Sequence, residues 1–141
     1  MSRGILFVFM FAMASVGPAC NGSDTGTPTA PSTITSPVTL DWGTTLQARG
    51  YSSRSFETTQ SGTAVVTLTS VAVPPTWEIG IGLGLPQANG GGCTLSTSVR
   101  APAGSTPQLS IAVEKGVYCV AVYDPGSLTE GVGVMLHLVY P

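Results

Sequence analysis

The sequence has few charged residues. Only 9% of its 141 residues are Asp, Glu, Lys or Arg, against roughly 25% in an average soluble domain. Helices with a charged outer face need more charge than this, so the composition argues against a helical bundle. The five basic and seven acidic side chains cannot form the dense positive patch of a nucleic-acid-binding protein, and we expect no nucleic-acid partner.

Residue types from which active sites are built are also scarce. His137 is the single histidine, and the three cysteines form no CxxC motif, which argues against a metal centre. His137 is interpreted either as a general base or ligand, or as a solvent-facing strand residue out of phase with its apolar neighbours; the second interpretation is favoured. The carboxylates are scattered and form no recognisable catalytic pair. These shortages predict that the protein is not an enzyme.

Long hydrophobic runs are limited to one, Ile5–Ala14, which follows Arg3. Ten apolar residues are too few for a bilayer, which needs about 20, but they fit the hydrophobic region of a signal peptide. Ala19-Cys20 resembles the end of the lipobox of bacterial lipoproteins, in which the cysteine is lipidated and becomes the first residue of the mature chain. We therefore predict a signal peptide over residues 1–19 and a lipid on Cys20. The alternative is an ordinary secretory signal cut nearby.

The residues after Cys20 are poor in apolar side chains. Residues 20–37 are predicted to be a disordered linker rich in Ser, Thr and Pro, because they cannot bury enough surface to offset the entropy of ordering. Together with the lipid on Cys20, the linker predicts an exported protein held on a bacterial membrane and facing the periplasm or the cell surface. Residues 38–141 remain for a folded domain.

Apolar and polar residues alternate through this domain with the period of β-strands. Strands are predicted over 51–58, 63–70, 77–85, 109–113, 117–123 and 132–138, with weaker ones at 39–48 and 93–99. About eight short antiparallel strands separated by turn residues indicate an all-β fold, a single β-sandwich. The links ending at Gly62 and Gly116 are predicted to be three-residue hairpin loops with a left-handed glycine, and Asp124-Pro125-Gly126 a type II turn.

The order of these segments resembles the bacterial pre-peptidase C-terminal (PPC) domain, a jelly-roll-like sandwich. Its pattern has a polar-Tyr-Xaa-Phe segment, a valine-rich strand after a glycine turn, a strand of alternating aliphatics, and a Gly-Xaa-Tyr-Xaa-Val-Xaa-Val strand. The resemblance implies a non-catalytic module with occasional calcium binding, although this chain has glycines where the family has acidic residues. The segments of this chain that correspond to those parts are Ser53–Phe56, Ser61–Leu68, Ile79–Leu85 and Gly116–Val122.

Two cysteines remain once Cys20 is assigned to lipid. In an oxidising compartment Cys93 and Cys119 are predicted to form a disulfide; the alternative is two separate buried thiols. Asp124 and Glu130 bracket a loop that offers oxygen ligands, so calcium is a candidate cofactor there. The competing interpretation is an Asp-stabilised turn.

Three glycines occupy one face of the strand that carries Trp77 and its apolar neighbours on the other. Gly80, Gly82 and Gly84, with Glu78 before them, are the candidate ligand face, because bare glycines would form a flat groove open to a polymer or peptide backbone. The alternative is that side chains of neighbouring strands cover the glycines. Trp42 and Trp77 are interpreted as core residues in preference to sugar-stacking platforms.

Three functions are consistent with these observations. The favoured hypothesis is a non-catalytic binding or accessory module at the cell envelope, whose ligand is a glycan, a peptide or a protein. The second is a structural envelope component that binds other envelope proteins. The third, a hydrolase, would depend on His137.

Overall fold

The computed structural model describes residues 36–72 and 76–141. The predicted signal peptide, Cys20 and most of the linker lie outside the described residues. The described part contains eight strands and no helix, and therefore no helix able to cross a membrane. The strands are β1 (Val38–Leu46), β2 (Tyr51–Thr58), β3 (Gly62–Val71), β4 (Ile79–Pro86), β5 (Cys93–Ala101), β6 (Leu109–Val113), β7 (Gly116–Tyr123) and β8 (Val132–Tyr140).

The strands form two four-stranded antiparallel sheets. Sheet A has the order β1-β8-β3-β6, and sheet B has the order β2-β7-β4-β5. Each sheet interleaves strands from the two halves of the chain, which is the arrangement of a double-sheet jelly roll. The predicted all-β, jelly-roll-like sandwich is confirmed.

The sandwich core lies between the inner faces of the two sheets. Alternate residues along each strand point inward, as the period of two requires. Trp42 is buried, and Trp77 is half-buried and packs against the core, so the core interpretation of both tryptophans is confirmed. The largest fully buried side chains are Leu46, Leu68, Ile79, Ile81, Leu83, Leu136 and Leu138.

Two predicted hairpins are wrong. The links before Gly62 and Gly116 connect strands of different sheets, since β2 pairs with β7 and β6 pairs with β3. Neither glycine has a positive φ; among the described glycines, Gly90, Gly92 and Gly126 do. Polar residues and glycine indicate that the chain reverses direction at these links. They do not indicate whether the following strand pairs with the preceding one or belongs to the other sheet. At Gly126, φ is 103°, as the predicted turn requires.

Candidate functional site

The predicted groove along β4 is absent, because all three glycines are buried. A Cβ atom added to Gly80 would lie 2.3 Å from the ring of Tyr123, and one added to Gly82 would lie 2.6 Å from the side chain of Leu95. Tyr123 is the cross-strand partner of Gly80 on β7. The alternative interpretation is therefore the correct one: neighbouring side chains lie across the bare strand.

At Gly84 the covering group is backbone. An added Cβ would lie 1.9 Å from the carbonyl oxygen of Thr94, which belongs to β5. The pairing of β4 with β5 shifts register between Leu83 and Gly84. At Gly84 a polypeptide backbone does approach the strand closely, but it is the chain's own β5.

A disulfide joins this covering segment to β7, the strand on the other side of β4 in sheet B. Cys93 at the start of β5 is bonded to Cys119 on β7, with Cα atoms 5.8 Å apart, so the predicted pairing is confirmed. Both cysteines are buried and form a small apolar cluster with Ala121 and Leu95 on the outer face of the sheet. The hydroxyl of Tyr51 accepts a hydrogen bond from Cys93 N at 2.8 Å and donates to Cys93 O at 3.2 Å. The outer face of sheet B is closed by the chain itself over β4.

Glu78 stands just before β4 and is exposed. Its backbone carbonyl accepts a hydrogen bond from the hydroxyl of Ser127 at 3.0 Å. Because the glycines beside it are covered, its carboxylate borders no groove on this face.

Asp124 is a buried acidic residue whose carboxylate organises two loops. Its Oδ1 accepts hydrogen bonds from the N–H groups of Gly126, Ser127 and Leu128 at 2.8–3.2 Å. Its Oδ2 accepts one from Arg49 N, 2.7 Å away in the β1–β2 loop. Arg49 has a φ of 57°, which is uncommon for a residue with a side chain. The carboxylate therefore stabilises a strained loop and a turn together.

These contacts also set the protonation of Asp124. Burial raises the pKa of Asp124, but hydrogen bonds from the four backbone N–H groups lower it by more than burial raises it. The pKa therefore lies below the ordinary value of 3.8. Both carboxylate oxygens of Asp124 accept hydrogen bonds from N–H groups, whereas a cation would need their free lone pairs. Glu130, the other predicted calcium ligand, is exposed. The described residues contain no group of three His, Cys, Asp or Glu side chains that could hold a metal. The geometry supports the turn interpretation of Asp124 over the calcium interpretation.

The open surface lies on the opposite side of the molecule, on the outer face of sheet A. A shallow depression of about 440 Å³ lies over β1, β8 and β3. A Cβ added to Gly133 would meet only Ala72, at 3.8 Å, whereas one at Gly43 would lie 3.1 Å from the end of the Met135 side chain. Met135 is 42% exposed. The depression is lined mainly by Gly43, Thr45, Ser70, Ala72, Gly133 and Met135.

Beside the depression, His137 and Asp41 form a cross-strand pair. They are register partners on β8 and β1, and His137 Nδ1 lies 2.7 Å from Asp41 Oδ1. Their side chains are 38% and 73% exposed. The interpretation of His137 as an outward-facing strand residue is confirmed, with an acidic partner that sequence reasoning missed.

The outer face of sheet A is otherwise uncharged. Asp41 and His137 are the only titratable residues at the outward positions of its four strands, and the others are mainly small, hydroxyl-bearing or aliphatic. Water screens an exposed pair of this kind, so the face offers hydroxyl groups, small apolar side chains and exposed glycine backbone. This arrangement is suited to contact with a neutral surface or polymer.

Sequence reasoning missed Gly43, Gly133 and Met135 as members of an open face. The sequence alone indicates that positions 133, 135 and 137 alternate with the apolar residues of β8. It does not indicate that β8 pairs with β1. Comparison with known proteins gives no matching family model and no matching curated protein.

Proposed function

We propose that this chain is an exported, non-catalytic β-sandwich module that binds a ligand at the cell envelope. The observation that carries the proposal is the contrast between β4 of sheet B, whose bare glycines the chain itself covers, and an open depression on sheet A that no charged side chain lines. Exposed surface that a fold leaves concave and bare is a frequent place for binding. The ligand classes are a glycan, a peptide or a protein surface, and the resemblance to the PPC domain supports an accessory role.

Binding is favoured over catalysis by the surroundings of His137. A carboxylate on Nδ1 orients a histidine as it would in a catalytic site, but general bases are usually tuned by burial or strong charge partners. Here Asp41 is 73% exposed and the depression is shallow. Hydrolysis of a substrate by the wild type, lost in His137→Ala, would support the hydrolase hypothesis instead.

Export and lipid anchoring form the second part of the proposal. They are supported by Arg3, the apolar run Ile5–Ala14 and Ala19-Cys20, and the Cys93–Cys119 disulfide suits an oxidising compartment. A labelled fatty acid fed to expressing bacteria should be incorporated by the wild type and not by Cys20→Ala. Equal labelling of the two proteins would contradict the anchor.

The binding face is tested with glycan and peptide arrays probed with the full-length protein. Gly133→Phe places a ring in the depression, while Val117→Phe places one at an exposed position on the outer face of sheet B. Ligands of the wild type should be retained by Val117→Phe and lost by Gly133→Phe. Empty arrays across several salt concentrations, or equal binding by both variants, would contradict the proposal. A single abundant partner crosslinked in the native envelope, with empty arrays, would favour the structural role.

A further inference from the structure

Strand β1 forms an edge of sheet A. Its nine residues pair with β8 along one side without a register shift. Within residues 36–72 and 76–141, no backbone group beyond β8 is hydrogen-bonded to it. Such an edge displays a row of N–H and C=O groups that can pair with another strand.

The other three edges are protected in ways that natural sheets use. Strand β6 has five residues. Strand β5 has a register shift opposite Gly84 and is tied at its start by the Cys93 disulfide. Strand β2 carries Arg54 at a position facing the other sheet, since its register partner Val120 belongs to the core. Strand β1 has neither a proline nor a basic residue, and its one acid, Asp41, is paired with His137.

Arg54 gives the neighbourhood of this edge a positive charge. Ser52 and Arg54 lie on the same face of β2, and the hydroxyl of Ser52 is 3.3 Å from that of Thr44 on β1. The Arg54 side chain therefore points toward the space between the free edges of β1 and β2. Arg54 is exposed and has no ion-pair partner among the described residues.

The edge is continuous with the open face, because Gly43 and Thr45 of β1 line the depression. A strand added beside β1 would extend sheet A. Alternate side chains of that strand would lie next to the depression, and the others would point into the space that Arg54 faces. Main-chain pairing would supply affinity, and the alternating side chains would supply specificity.

We infer that the free edge of β1 binds an extended peptide strand that presents a carboxylate to Arg54. This inference rests on the proposed binding function and selects a peptide among its ligand classes. A second copy of the chain is disfavoured as the occupant, because pairing β1 with its copy would bring two Arg54 side chains to the same side of the joined sheets.

The test uses the full-length protein and three synthetic octapeptides. The first is Ser-Thr-Val-Thr-Glu-Thr-Val-Ser, which places valine and glutamate on one face and hydroxyl groups on the other. The matched peptides carry Gln or Lys instead of Glu. The Glu peptide should bind about tenfold more tightly than the Gln peptide, as one charge-assisted contact permits, and the Lys peptide should bind least. On saturation, alternate amides of β1 that exchange quickly in the free protein should become protected.

Two variants keep the inference falsifiable. Arg54→Gln should abolish the preference for Glu over Gln, and Arg54→Glu should reverse it toward Lys, with the fold intact because the side chain is exposed. The inference is overturned if no peptide protects β1 amides, if the preference survives Arg54→Gln, or if protection rises with protein concentration alone, as self-pairing would produce. An array ligand lost in Gly133→Phe that leaves β1 exchange unchanged would overturn this inference and leave the proposed function standing.

Discussion

Glycines on the two outer faces of the sandwich have opposite surroundings. On sheet B, the glycines of β4 make room for the chain itself, because Tyr123, Leu95 and the backbone of β5 occupy the space that side chains would fill. On sheet A, Gly133 leaves its space open. Glycine in a strand therefore indicates a close approach, but only the packing tells whether the approaching group belongs to the protein or to a ligand.

Removal of the disulfide should weaken the closed face most. The double variant Cys93→Ser/Cys119→Ser loses a cross-link between residues 26 apart, which is worth about 3.5 kcal/mol on the chain-entropy model. Urea unfolding should show this loss, and amide exchange should become faster in β5. The matched change on the open face is Met135→Ala, which should cost less than about 1 kcal/mol because the side chain is 42% exposed. Similar losses of unfolding free energy in the cysteine double variant and in Met135→Ala would contradict the contrast between the two outer faces.

Asp124→Asn should have a smaller effect than loss of the disulfide, and it should act at the loops that join the sheets rather than on either face. The amide has a single oxygen acceptor. If that oxygen keeps the three N–H groups of the turn, the NH2 group faces the N–H of Arg49, which loses its partner, and about 2 kcal/mol of unfolding free energy should be lost at neutral pH. Glu130→Gln, an exposed change in the same loop, is the control and should alter stability little.

The effect of Asp124 should depend on pH. Because its folded pKa lies below the ordinary value of 3.8, its contribution is complete above about pH 4 to 5 and disappears as the pH falls through the lowered folded value. The difference in unfolding free energy between wild type and Asp124→Asn should therefore shrink between pH 5 and pH 2. A difference that grew with acidification would contradict the assignment.

A smaller loss of unfolding free energy is expected on removal of the Tyr51 hydroxyl, which is hydrogen-bonded to the start of β5. Tyr51→Phe removes the hydrogen bonds to Cys93 N and O and should cost about 1 kcal/mol in thermal or urea unfolding. Tyr123→Phe is the matched control, since its ring covers Gly80 while its hydroxyl has no hydrogen bond among the described residues. If Tyr123→Phe lowered the unfolding free energy as much as Tyr51→Phe, the hydrogen bonds to Cys93 would not be the cause of the loss.

The smallest effect is expected on the open face. A double-mutant cycle of Asp41→Asn and His137→Gln should give a coupling of about 0.5 kcal/mol, reduced by salt, because the pair is exposed. A coupling above about 2 kcal/mol would show that this face is less solvated than its geometry indicates.

Much of the fold was predictable because it rests on local periodicity. The alternation of Ile79, Ile81 and Leu83 indicates a strand with one buried face, and two cysteines in a domain that the sequence predicts to be exported indicate a disulfide. The order of the strands in the two sheets cannot be predicted from any local segment. The links before Gly62 and Gly116 have the residues of hairpin loops, although each connects strands of different sheets.

The candidate site was largely unpredictable for a related reason. Gly133 and Met135 lie on β8, and Gly43 and Asp41 lie on β1, so their meeting depends on the pairing of the two ends of the domain. The sequence did show three bare glycines on β4, but their covering groups come from β5 and β7. Long-range pairing decided both outcomes.

The most direct test of the contrast between the two faces is a pair of equal substitutions measured by urea unfolding. Gly84→Ala places a Cβ against the Thr94 carbonyl and should cost about 3 kcal/mol, since neither backbone can move without breaking the β4–β5 pairing. Gly133→Ala adds the same methyl group to open space and should change the unfolding free energy by no more than about 0.5 kcal/mol. Equal costs for the two variants, or a larger cost at Gly133, would contradict the account.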